Sequence, residues 1–206
     1  MKKKVVSFLV SGRGSNFKVV AEKIKAKEIN ANFGILISDN IEAKALEIAK
    51  DLGIKGLFID PALYSSRERH EREMVDLLEE CRTDLVVAAG YMRVLTPYFV
   101  KIYRNRIINI HPALLPAFPG VNAQGQAFDK GVKITGCSTH FIDEGTDTGP
   151  IIMQAAVPVD ENDTLEKLSS KILKEEHRIL PESVKLFCAD KLKVVGNKVK
   201  ITGFKN

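Results

Sequence analysis

Short runs rich in Val and Ile alternate with amphipathic stretches through the first half of this chain, and that alternation constrains the fold more than any other feature. The runs are Lys4–Val10, Phe33–Ser38, Gly56–Ile59, Asp84–Ala89 and Ile107–Ile110, bounded by Gly, Asp or Asn. They are apolar nearly throughout rather than at every second position, the pattern of strands buried on both faces. Between them, Phe17–Lys27, Ala43–Leu52 and Arg67–Leu78 place apolar residues at helical spacing, with Glu, Lys and Arg on the opposite side. Strand and helix in alternation predict an α/β fold, a mostly parallel sheet with crossover helices on its faces. Ser15 or Asn16 is expected to cap the first helix, Asp39 or Asn40 the second, and Ser65 or Ser66, followed by Glu68 and Arg69, the third.

The pattern changes after Pro112. A loop rich in Pro, Gly and Asn runs to Gly125, and two β-like stretches follow, Thr135–Asp143 and Ile151–Val159. Asp163-Thr164 opens a helix to about Phe187, with a bend expected at Pro181, and Lys193–Ile201 reads as a hairpin turning at Gly196-Asn197. With 206 residues, 45% hydrophobic and 28% charged, the chain suits one domain over 1–206, its halves meeting near 105–106. The net charge of +5 is scattered, so no basic block marks a nucleic-acid surface. The apolar run after Lys2-Lys3-Lys4 ends at Ser11-Gly12, too short for a signal peptide, and no later segment is long enough to span a membrane. Cys81, Cys137 and Cys188 have no metal-ligand spacing and read as reduced thiols of a cytoplasmic protein; no metal is expected.

Ser11-Gly12-Arg13-Gly14-Ser15-Asn16 follows the first strand and leads into the first helix. Two glycines let the backbone turn tightly around an anion, and the helix start offers unpaired N–H groups and a positive dipole end. The third glycine of a dinucleotide fingerprint is replaced by Phe17, and the Lys of a Walker loop is absent. The loop therefore suits a phosphate better than a nucleotide cofactor; taken alone it reads equally as a glycine-rich turn.

Asn109 and His111 stand two residues apart at the end of a strand, so both project from one face of the sheet. Strand C-termini are where open α/β sheets bind ligands. With no second ligand at metal spacing, acid–base chemistry is the functional reading of His111; a lone His can equally be a satisfied structural residue. A second polar cluster, Asp143 to Pro150, lies between two β-like stretches. A carboxylate from it set against the imidazole would favour the imidazolium and let it stabilise a developing oxyanion. The alternative for this cluster is a solvated turn.

Taken together, Ser11–Asn16, Ala89–Leu95, Asn109–Pro116, Phe118-Pro119-Gly120 and Thr139–Pro150 resemble the phosphoribosylglycinamide formyltransferase family, in order and over nearly the whole chain. The resemblance implies a Rossmann-like formyltransferase fold and transfer of a formyl group from 10-formyltetrahydrofolate to the amine of glycinamide ribonucleotide, by a chain working as a monomer or homodimer. It implies Asn109, His111 and Asp147 as the catalytic group, with His140 in support. Gly14, Ser15, Asn16 and Phe17 would surround the substrate phosphate and Glu176 its ribose. Arg67, Met92, Arg93, Val94, Leu95 and Asn109 would line the folate, with Ile142, Asp143 and Glu144 in the loop around its pterin. Leu173 departs from the pattern, which usually has a polar residue one turn before Glu176. Two rivals follow from the same motifs, a formyltetrahydrofolate deformylase and a non-catalytic folate- or phosphoribosyl-binding module. A third, methionyl-tRNA formyltransferase, would normally add a basic C-terminal domain.

Overall fold

The computed structural model describes residues 3–203. Seven strands, β1 (Lys4–Val10), β2 (Ala31–Ser38), β3 (Lys55–Phe58), β4 (Leu85–Ala88), β5 (Ile107–His111), β6 (Ile134–Phe141) and β7 (Ile151–Pro158), form one sheet in the order β3-β2-β1-β4-β5-β6-β7. Strands β1 to β5 pair in parallel, and β6 and β7 are added antiparallel at one edge. The expected mostly parallel α/β sheet is thus present, and the expected hairpin follows it as β8 (Leu192–Val195) and β9 (Lys198–Ile201).

Strand alternation sorts the core into two layers. Val6, Phe8 and Val10 pack with α1 (Ser15–Lys25), α2 (Lys44–Leu52) and the long α6 (Leu165–Cys188), whereas Leu9, Ile35, Ile37 and Val86 pack with α3 (Arg67–Glu80) and α4 (Pro97–Ile102). The hairpin closes on the first layer through Leu192, Val194 and Val199. From β1 the chain moves outward to β2 and β3 and then returns to the other side of β1 as β4. The crevice between β1 and β4 is therefore the switch point of the sheet, where ligands bind beyond the strand C-termini. No helix among the described residues is long and apolar enough to cross a membrane.

The helix starts depart from expectation in two places. Helix α1 begins at Ser15, with Gly14 as its N-cap at φ 72° and no side-chain cap, so neither Ser15 nor Asn16 caps it. Helix α2 begins after Ala43; Asn40 instead accepts the Glu42 N–H at 3.0 Å and closes the turn before it. Ser66 caps α3 as expected, accepting from the Arg69 N–H at 3.2 Å. Helix α6 continues through Pro181 and is capped by Thr164. Two short helices were not foreseen, α4 and α5 (Ala123–Asp129). Isolated helices of six or seven residues are unstable, so tertiary docking rather than local propensity makes them. Ala123, Gly125 and Ala127 are buried, and Gln124 accepts from Ser169 of α6 at 3.0 Å.

Candidate active site

The anion cradle forms where β1 hands over to α1. Gly14 combines a positive φ with close quarters: a Cβ there would stand 2.6 Å from the Cβ of Ala45. The first helical bond is Lys18 N–H to the Gly14 carbonyl at 2.8 Å, which leaves the N–H groups of Ser15, Asn16 and Phe17 pointing beyond the helix end. Phe17 can contribute only that N–H, because its ring is fully buried edge-on to Phe8 at 4.8 Å. Asn16 donates from Nδ2 to Glu176 Oε2 at 2.7 Å, so α6 brings Glu176 to the cradle across the whole chain. Burial pushes the Glu176 carboxyl up, against the opposing effects of the Asn16 hydrogen bond and the Arg13 charge. The Asn16 Oδ1 is buried and has no protein partner.

Asn109 and His111 lie on β5, out of phase with Ile108 and Ile110, which face the α1–α6 layer. Antiparallel pairing sets His140 of β6 directly across from Asn109. The loop after β6 then turns Asp147 into the group. His111 Nδ1 lies 3.3 Å from Asp147 Oδ2, His140 Nε2 3.4 Å from Oδ1, and Asn109 Nδ2 3.5 Å from Oδ1 and 3.1 Å from His140 Nε2. The Gly120 N–H adds a bond to Asp147 Oδ2 at 2.8 Å. Burial by itself would raise the Asp147 carboxyl; the His140 and Gly120 hydrogen bonds and the two imidazoles outweigh it and hold the group below the usual carboxylate range.

Backbone strain concentrates at this cluster. Of seven described non-glycine residues with positive φ, Lys27, Arg82, Asn105 and Asp190 lie just beyond helix ends, an ordinary place for the left-handed region. The other three, Phe118, Asn122 and Asp147, surround the site. Gly149 is needed close by, since a Cβ there would fall 1.9 Å from the Phe141 carbonyl oxygen. The other ring nitrogen of His111, Nε2, donates to the Phe118 carbonyl at 2.7 Å.

Beside the cluster opens a cavity of about 310 Å³, walled by Met92, Arg93, Val94 and Leu95 on one side and Ile142, Asp143 and Asp147 on another. Two expected folate contacts do not line it. Arg67 sits behind the wall, its Nη1 donating to the Val94 carbonyl at 3.2 Å. Glu144 faces a second hollow, between α4 and the hairpin, because Asp143 pins the turn by accepting the Gly145 N–H and the Thr148 hydroxyl. The loop expected over 112–125 shrinks as well. Ala113 and Leu115 are buried, and Ser138 accepts the Leu115 N–H while donating to the Ala113 carbonyl. From this stretch Pro112, Gly120, Val121, Asn122, Ala123 and Gln124 line the cavity. Sequence reading marked the stretch as a functional loop but named none of these residues; Gly120 and Asn122, at left-handed positions, carried the signal.

The family described as formyl transferase matches residues 3–184. The phosphoribosylglycinamide formyltransferase of Bacillus subtilis is 41% identical over 88% of this chain and 93% of its own length. The chain belongs to the phosphoribosylglycinamide formyltransferase family. A solved structure named glycinamide ribonucleotide transformylase 1, from Symbiobacterium toebii, superposes with a TM-score of 0.95 at 44% identity, covering 97% of this chain and 94% of the other. The chain also matches the trifunctional purine biosynthetic protein adenosine-3 of Bos taurus, at 38% identity over 95% of itself, and spans 19% of that protein's length. A formyltetrahydrofolate deformylase from Pseudomonas syringae shares the fold at 27% identity and a TM-score of 0.89, over 97% of this chain and 66% of that one.

Proposed function

We propose that this formyltransferase moves the formyl group of 10-formyltetrahydrofolate to the amine of glycinamide ribonucleotide, yielding the N-formyl product and tetrahydrofolate, as a cytoplasmic step of purine biosynthesis. The carrying observation is the convergence of His111 and Asn109 on the Asp147 carboxylate, at 3.3 and 3.5 Å, on the wall of a largely apolar cavity. The N–H groups of Ser15, Asn16 and Phe17 suit the substrate phosphate, and the buried Glu176 suits ribose hydroxyls, which would give its carboxylate donors. The cavity between Met92–Leu95 and Ile142–Asp147 suits a flat pterin, apolar on its faces and hydrogen-bonding at its edge.

In this reading the substrate amine attacks the formyl carbon and the carbonyl electrons move to oxygen. The Asn109 amide and an N–H of His111 hold that oxyanion, the His111 Nε2–H turning from the Phe118 carbonyl to do so. Collapse breaks the bond from carbon to N10, and the proton lost by the amine reaches N10 with Asp147 as relay. Proton transfer of this kind contributes roughly 10²–10⁴ in rate and an oxyanion donor roughly 10²–10³. Steady-state kinetics of Asn109→Ala, His111→Ala and Asp147→Asn should therefore show kcat reduced by about 10²–10⁴ with smaller changes in KM. Near-wild-type turnover in all three would overturn the assignment. Incubation with 10-formyltetrahydrofolate alone tests the rivals: formate released without the amine marks a deformylase, and binding without turnover on adding the amine marks a non-catalytic module.

A further inference from the structure

Helix α3 carries a buried carboxylate that none of the chemistry above uses. Glu71 is 2% exposed. Burying a carboxylate is costly unless its oxygens are hydrogen-bonded, and here both serve one residue. Oε1 and Oε2 accept the Thr96 N–H at 2.9 and 3.1 Å, and Oε2 also accepts the Thr96 hydroxyl. Burial pushes the Glu71 carboxyl up, opposed by these Thr96 bonds and by the charges of Arg67 and His70. One turn earlier on the same face, Arg67 donates to the Val94 carbonyl. Thr96 is also the N-cap of α4, yet its side chain makes no capping bond there.

The segment from Gly90 to Thr96 is thus pinned from both ends. At its start, the Ser11 N–H donates to the Gly90 carbonyl at 3.1 Å and the Ser11 hydroxyl accepts the Met92 N–H at 2.9 Å. At its end stand Arg67 and Glu71. Between the pins, Met92 and Val94 are 71% and 52% exposed on the cavity wall. Side chains so exposed have little packing of their own, so the backbone sets where they stand.

We propose that Glu71 is a positioning residue for the folate-side substrate: by gripping Thr96 it holds the Met92–Leu95 wall at the height against which a flat bicyclic ring packs. This rests on the folate reading of the cavity. A merely structural role for Glu71 would loosen α3 against α4 and weaken both substrate sites together; a positioning role acts on one. In Glu71→Gln, which keeps the shape but loses the charge and leaves one accepting oxygen where there were two, KM for 10-formyltetrahydrofolate should rise about tenfold, the worth of one hydrogen bond to a charged group. KM for glycinamide ribonucleotide and saturated kcat should stay within about twofold, a change smaller than the loss of a single such bond. Thr96→Val, which removes only the hydroxyl, should move the folate KM the same way by less. Equilibrium binding of tetrahydrofolate, titrated without the second substrate, should weaken in parallel. An unchanged folate KM, or equal rises in both KM values, overturns the proposal. If wild type itself fails to bind tetrahydrofolate, the folate reading falls instead.

Discussion

Asp147 is held in a backbone conformation that strains any residue with a Cβ, and it is the group on which His111, His140, Asn109 and the Gly120 N–H converge. Its folded carboxyl lies below the ordinary value of 3.8, so the sign of its linkage is set. The stability it contributes is present above that value and is lost as pH falls through the depressed folded value. The melting-temperature gap between wild type and Asp147→Asn should accordingly be widest near neutral pH and begin to close as pH falls below about 3.8, as read by thermal scans from pH 3 to 7. A gap that widens in acid would contradict this. Asn109 and His111 were legible as a pair because a strand repeats every two residues. From spacing alone Asp147 was one carboxylate among Asp143, Glu144 and Asp147, singled out only by the family resemblance, and the left-handed turn at 147 decides which of them points inward. The Phe118 carbonyl on His111 had no signal at all, since every residue carries a carbonyl.

Helix α3 joins the sequence to the site through its first turns. Ser66 accepts the Arg69 N–H, and the Arg67 and Glu71 contacts to the cavity wall follow directly after it. Ser66→Ala should cost about 1 kcal/mol in urea denaturation, the usual worth of an N-cap, and should raise the folate KM in the same direction as Glu71→Gln. Loss of stability with no change in that KM would separate the cap from the wall. The cap of α3 was legible because Ser66 is followed by a charged, periodic stretch; the start of α1 was misread because a left-handed glycine replaced the usual side-chain cap. That replacement serves the site: a capping side chain would take up N–H groups that here point outward. Helix α5 escaped notice because Ala123–Asp129 lacks a periodic apolar face and buries small residues against neighbouring structure.

At the scale of the molecule, the sheet divides the core, with Ile179 of α6 on one side and Leu78 of α3 on the other. Ile179→Val should cost about 0.5–1.5 kcal/mol and Leu78→Ala about 2–5 kcal/mol. Separated by the sheet, the two should add within roughly 0.5 kcal/mol in a double-mutant cycle; a coupling above about 1 kcal/mol would show that the layers share strain. Local spacing in the sequence was enough to determine the strands, most helices, the glycine turn after β1 and the common face of Asn109 and His111, because backbone periodicities are set by near neighbours. Which distant groups meet was decided only by the tertiary structure. Asn16 reaches Glu176 across 160 residues and Asn109 reaches Asp147 across 38. Those meetings depend on β6 pairing beside β5 and on α6 burying its apolar face against the sheet, outcomes of global burial that no short window of sequence contains.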